Sequence, residues 1–142
     1  MPLSDYPRVS LAHLPTPLEF LPRLTKHLGG PNVYVKRDDC TGLGTGGNKT
    51  RKLEFLMADA IKKKADLIIT QGAVQSNHAR QTAAAAAKIG MKCELVFEKR
   101  VADATTAYKE SGNVFLDKLF GANIHEVANG SDMTKEMEDL SD

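Results

Sequence analysis

Hydrophobic spacing divides the chain into an opening stretch with no steady period and a longer stretch in which two periods alternate. Leu53, Leu56, Met57, Ala60 and Ile61 recur three or four residues apart, which predicts an amphipathic helix over about residues 49–63. "DLIIT" (66–70) and "CELVF" (93–97) are continuous apolar runs, the pattern of strands buried in a parallel sheet. Between them, "SNHARQTAAAAAKIG" (76–90) reads as a helix, with Ser76 suited to its N-cap and Gly90 to its end. The alanines at 83–87 let such a helix lie close against a sheet. "GNVFLDKLFG" (112–121) predicts another helix, closed by Gly121, and "NIHEV" (123–127) a third strand. A last helix begins near Ser131, with Met133, Met137 and Leu140 on one face and no stop signal before Asp142.

The opening stretch behaves differently. All six prolines lie between Pro2 and Pro31, so the first third reads as an extended, turn-rich arm. One short strand follows in "NVYVKRD" (32–38), with Val33 and Val35 on one face. Lys62 to Lys64 is the solvated end of the first helix, where cations suit the dipole. The β-α-β-α-β-α order argues for an α/β fold, a parallel sheet joined by right-handed crossovers.

Composition narrows the setting more than the chemistry. The 142 residues suffice for one domain-sized core. A net charge of +1 gives no reason to expect a nucleic-acid or anionic-membrane partner. Two cysteines, Cys40 and Cys93, are too few for a disulfide framework and fit a reduced, cytoplasmic setting. No apolar run approaches the ~20 residues that span a bilayer, and "MPLSDYPRVS" lacks the order of a secretory signal. No metal site is expected.

The candidate chemistry lies in "TGLGTGGNKTRK" (41–52). As a dinucleotide-binding loop it fails, because "KRDDC" separates the glycines from their strand and the next strand ends in Thr70-Gln71-Gly72 rather than an acid. As a phosphate-binding P-loop it fails on Asn48, which intervenes between Gly47 and Lys49. An ordinary exposed loop with a surface lysine would remain, but for a second stretch, "TQGAVQSNHAR" (70–80). That stretch leaves a strand and opens a helix, so its free N–H groups form a pocket for a carboxylate or phosphate. Gln75 and Asn77 add donors, Ser76 a hydroxyl, and His78 a ring that titrates near neutrality. Taken singly, Ser76 is an N-cap and His78 a solvated first-turn residue. Taken with the lysine loop, they stand where α/β folds bind ligands, at a strand's carboxyl end.

"GGNKTRKLEFL" (46–56) and "QGAVQSNHARQTAAAAAKIGMKC" (71–93) resemble the D-cysteine desulfhydrase, L-cysteate sulfo-lyase and 1-aminocyclopropane-1-carboxylate deaminase family of pyridoxal-phosphate enzymes. The resemblance runs from "YPRVSLAHLPTPLEFLPRL" (6–24) to "ESGNVFLDKLFGA" (110–122). It implies the tryptophan synthase β-like fold (fold type II): an open, parallel, twisted sheet flanked by helices, here its N-terminal part and incomplete. It also implies that residues 1–48 belong to the large cofactor domain and 49–142 to a small α/β domain. The cofactor implied is pyridoxal 5'-phosphate, joined covalently to Lys49, with Lys52 near its phosphate and Asn77 near its ring hydroxyl. A dry cleft favours the uncharged amine, which serves first as nucleophile and later as base. Gln75, Ser76, Asn77 and His78 are the implied substrate-binding residues, Ser76 also reaching the reacting centre.

Members of that family are more than twice as long, and their phosphate cup and ring-nitrogen partner come from a later half with no counterpart here. The chain therefore reads as an N-terminal fragment, expected to be inactive alone. The implied reaction is α,β-elimination on a small sulfur-containing amino acid: D-cysteine to pyruvate, sulfide and ammonia, or L-cysteate to pyruvate, sulfite and ammonia. His78 favours this over the deaminase branch, which typically carries glutamine there, and Thr45 is a candidate hydroxyl for a sulfonate. The deaminase remains the alternative, and a homodimer is what the resemblance suggests. A reading of another class also stays open: a non-catalytic α/β fragment whose amide pocket binds a small anion.

Overall fold

The computed structural model describes residues 2–141. A three-stranded parallel sheet carries the second half of the chain, in the order β3 (Leu67–Ala73), β4 (Lys92–Glu98), β5 (Asn123–Val127). Leu67 pairs with Lys92 and Ala73 with Glu98, and Glu94 pairs with Asn123 and Glu98 with Val127. The parallel α/β expectation holds. Only the central strand is deeply buried, however. Cys93, Leu95, Val96 and Phe97 are all at most 5% exposed, whereas β3 and β5 are half-buried because each has a strand on one side only.

Helix α3 (Asn77–Ile89) opens and closes as its sequence dictates. Ser76 is extended and its hydroxyl accepts a bond from Ala79 N, while Gly90 closes the helix in the left-handed conformation. The alanines do what their size allows. Ala83 and Ala86 pack with Cys93, Leu95 and Phe97 of β4, and Ala85 packs with Leu53 and Met57. Two cores therefore meet at α3. One lies between the sheet, α3 and α5 (Gly112–Leu119); the other joins α3, α2 (Lys49–Lys62) and Leu11 of the N-terminal arm. Helix α6 (Met133–Asp139) lies against β3 and β4, capped by Asp132, and ends at Asp139 without a stop residue in the sequence.

The arm is more regular than its prolines suggested. β1 (Leu18–Phe20) pairs antiparallel with β2 (Tyr34–Lys36), and α1 (Pro22–Leu28) lies between them. Pro22 occupies the first helical turn, where its missing N–H costs nothing, and Gly29 is the left-handed C-cap. Proline there starts a helix rather than breaking one. A short helix, α4 (Thr106–Glu110), was also not anticipated; Thr105 caps it through Tyr108 N. Among the described residues no helix is long and apolar enough to cross a membrane.

Candidate active site

Lys49 is the first residue of α2, and the loop before it is fixed from three directions. Thr41, fully buried, accepts Gly47 N at 2.8 Å and lies 2.9 Å from Gly47 O. Glycine is required at two points: a Cβ on Gly46 would lie 1.9 Å from Asp39 O, and one on Gly47 2.4 Å from Gln81 Nε2. Asn48 makes no side-chain cap. Instead, buried Gln81 reaches across from α3, accepting Thr50 N at 2.9 Å while donating to Asn77 O at 2.8 Å. A helix start is thus capped by its neighbour. Arg51 adds a fork to Asp38, 2.7 and 2.6 Å, and to Thr16 at 2.8 Å. That guanidinium holds the Asp38 carboxyl down to about 2.

The third fixing group is Arg80 of α3, only 7% exposed. It donates to Gly44 O at 2.6 Å, Gly46 O at 3.0 Å and the Thr45 hydroxyl, with a longer contact of 3.5 Å to Asn77 Oδ1. Thr45 is therefore engaged within the loop, and its φ of +71° is unusual for a β-branched residue.

On the opposite wall, His78 is half-buried between two threonines. Its Nε2 lies 2.9 Å from Thr70 Oγ1 and its Nδ1 3.4 Å from Thr82 Oγ1, while the Thr82 hydroxyl donates to His78 O. With that hydroxyl proton committed, a neutral ring carries its own proton on Nδ1 and accepts from Thr70 at Nε2. Burial, with Lys52 and then Lys49 in electrostatic reach, lowers His78 to about 4. Both lysines therefore lie within electrostatic reach of the ring, and His78 is not the solvated residue expected from its position alone. The Lys49 side chain takes no hydrogen bond or ion pair among the described residues. Lys52, His78, Thr70 and Leu56 border a recess of about 210 Å³.

The remaining expected residues fall into place unequally. Ser76 is the N-cap, its hydroxyl 3.2 Å from Ala79 N. Asn77 is exposed, its Oδ1 accepting from Asn113 Nδ2 at 3.1 Å. Gln75 is committed elsewhere: it donates to Tyr108 O (2.7 Å) and Ser111 O (2.9 Å) and accepts Asn113 N (2.9 Å), stitching α4 and α5 to the α3 start. A larger recess of about 430 Å³, bordered by Val74, Lys99, Tyr108 and Glu126, contains none of the expected residues. Sequence reasoning missed Arg80, Gln81 and Thr50. Arg80 and Gln81 left a readable trace, a charged and a polar residue ahead of five alanines on a helix that must be buried. Thr50 left none.

This set fits pyridoxal phosphate. A primary amine without a partner suits its aldehyde, and Lys52 and the amide-bearing end of α3 suit its anionic groups or a substrate carboxylate. The comparisons with known proteins agree. Residues 9–142 match the family model described as pyridoxal-phosphate dependent enzyme. The chain is 46% identical over 139 residues to a D-cysteine desulfhydrase of Klebsiella pneumoniae subsp. pneumoniae, covering 98% of this chain and 42% of that one. It is 51% identical over 122 residues to a D-cysteine desulfhydrase of Salmonella newport, covering 86% and 37%. A solved structure of an ACC deaminase homologue superposes with a TM-score of 0.84 at 42% identity, covering 97% of this chain and 41% of that one. A pyridoxal 5'-phosphate-dependent aspartate racemase shares the fold, with a TM-score of 0.61 at 20% identity over 89% of this chain and 36% of that one. The chain spans about two fifths of the length of these curated relatives. By the match over residues 9–142, this chain belongs to the family of pyridoxal-phosphate dependent enzymes.

Proposed function

We propose that the protein is a lyase that eliminates a sulfur group from the β-carbon of a small amino acid, D-cysteine or L-cysteate. The observation that carries the reading is the placement of Lys49, its side chain without a bond, at the head of α2, one turn before Lys52, which borders a recess with the half-buried His78 at the start of α3. The D-cysteine desulfhydrase names of the relatives supply the substrate class.

In this reading Lys49 Nζ holds the cofactor and afterwards takes the α-proton. Bound there, pyridoxal phosphate supplies a sink for the electrons left at the α-carbon. The free amides at the α3 start and the Asn77 side chain orient the substrate carboxylate. Ser76, though occupied as the cap, stands at the same helix end and is the hydroxyl this reading assigns to the reacting centre. His78, neutral and anchored by Thr70 and Thr82, presents a shaped polar wall rather than a charge. Gln75 then acts indirectly by holding α4 and α5 in place.

Residues 1–48 as part of a large domain, a homodimer and a cytoplasmic setting belong to the same reading. The 1-aminocyclopropane-1-carboxylate deaminase alternative draws on the ACC deaminase homologue that superposes on this chain.

The decisive experiment is borohydride reduction of the intact protein with pyridoxal phosphate, followed by peptide mapping. The tag is expected on Lys49 and is lost in Lys49→Ala. A tag elsewhere, or none, defeats the assignment. Parallel assays with D-cysteine, L-cysteate and the cyclopropane amino acid separate the reactions: sulfide or sulfite release supports elimination, and turnover of the last alone rejects it.

A further inference from the structure

Three buried polar atoms in the described residues find no partner: Arg80 Nε and both carboxylate oxygens of Asp117. Such groups are rare because each forfeits its hydration. Here they are complementary, one N–H and two acceptors, and they feel each other's charge across the α3–α5 contact. Asp117 is fully buried on α5, and burial raises its carboxyl to about 7. Cys93 of β4 also lies within its electrostatic reach; burial first, then Asp117, pushes that thiol up to about 12, so it adds no charge.

The same helix supports the lysine loop directly. One turn beyond Asp117, Phe120 sits under Gly44, where an added Cβ would meet its ring at 3.2 Å and Ala84 at 2.7 Å. Above it, Arg80 holds Gly44 O, Gly46 O and Thr45, the last in a left-handed conformation that β-branched residues adopt only when surroundings impose it. The strained loop is clamped by a buried guanidinium, and an unpartnered buried carboxyl on the helix packed against α3 lies within electrostatic reach of that guanidinium, with no hydrogen bond joining the two.

We propose that Asp117 is a positioning residue, acting from α5 through Arg80 to hold loop 44–47 and so the start of the helix that carries Lys49. It touches neither substrate nor cofactor. Its importance for catalysis rests on the assignment of Lys49 above, whereas its action on the loop does not.

The test is hydrogen exchange at the Gly46 and Gly47 amides of the full chain, both hydrogen-bonded within the loop. Asp117→Asn is expected to speed their exchange about tenfold, with far smaller changes at β4 amides. Arg80→Met produces the same loosening, and Asp117→Asn adds nothing in the Arg80→Met background. Should Arg80→Met not fold, Arg80→Lys, which keeps the charge but loses the fork, takes its place. Loop exchange within twofold of the parent in Asp117→Asn overturns the proposal, as does full additivity in the double variant. Absorbance after adding pyridoxal phosphate separates the two assignments. A cofactor band that survives Lys49→Ala defeats the lysine assignment while leaving the exchange result to decide the role of Asp117.

Discussion

Two carboxylates are buried almost equally, Glu54 at 1% and Asp117 at 0% exposure, and they meet opposite fates. Glu54 on α2 accepts Leu11 N and Ala12 N at 2.9 Å each, and Arg8 Nε at 2.5 Å. Burial would raise its carboxyl, yet these bonds together hold it below its ordinary value. Asp117 receives no bond and is pushed up to about 7. Burial alone therefore does not decide whether an acid stays charged in this molecule; hydrogen-bond supply does. Around Glu54 the arm is pinned to the helical core. Around Asp117 the chain carries an unrelieved cost, close to the strained loop that starts the lysine helix, and such costs gather where function needs a particular shape.

The largest effect that could break this comparison is at Glu54. Glu54→Leu leaves two amides without an acceptor and Arg8 without its carboxylate, so a loss of about 3 kcal/mol is expected in urea unfolding. Glu54→Gln keeps one acceptor oxygen and loses about 1 kcal/mol. A loss under 1 kcal/mol for the leucine variant would show that the arm is held by Leu11 packing rather than by Glu54.

Next comes the pH dependence that sets the two acids apart. Asp117 is raised in the folded state, so between its ordinary value and about 7 the folded chain binds the proton that the unfolded chain has lost. Stability then falls as pH rises, on the order of 2 kcal/mol from pH 5 to 8 for this group. Glu54 is lowered when folded, so its contribution is present above its unfolded value and is lost as pH falls through the folded one. Below about 6.5 the lowered His78 contributes a slope of the opposite sign. Asp117→Asn should therefore turn stability upward with pH from about 5 to 6.5 and remove the decline from there to about 7, while Glu54→Gln should leave both features and flatten the acid limb. Thermal unfolding midpoints across pH measure both. An unchanged slope in Asp117→Asn would mean that the carboxyl reaches water or an unseen donor.

What the sequence disclosed follows the same division. Elements with a long period, an apolar run or a matched pair of caps were legible: α2 by its apolar spacing, α3 by Ser76 and Gly90, β3 and β4 by their apolar runs. Short elements built on exceptions were not. α1 starts on a proline that composition reads as a breaker, and α4 is five residues long, less than two turns. Lys49, Lys52 and His78 stood out because the two motifs are locally unusual, and the structure leaves both lysines within electrostatic reach of the ring, while their roles belong to the proposed function. The sequence could not show that the Gln75 side chain bonds Tyr108 O and Ser111 O, because those partners lie more than thirty residues away. Asp117 was invisible for a like reason. On a helical wheel it is an ordinary polar residue, and only the α3–α5 packing buries it behind Arg80.

The smallest expected effect is spectroscopic, and it decides on which side of the comparison the α3 start falls. His78 behaves like Asp117, with burial favouring the uncharged form, and two like-charged lysines strengthen that preference. Lowered to about 4, the ring stays neutral through the physiological range. The unfolded chain takes up a proton at this residue near 6.5 that the folded chain refuses until about 4, so the stability contributed here is present above 6.5 and lost on acidification toward 4. Imidazole nitrogen shifts should show no step between pH 5.5 and 8 and a proton on Nδ1, with Thr70 as donor to Nε2. Thr70→Val removes that donor, and a titration step moving up toward the ordinary histidine range is the expected response. A midpoint near 6.5 in the unaltered chain would place His78 with the solvent-exposed groups. The helix end would then present a switchable charge, and the neutral polar wall assigned to it would have to be abandoned.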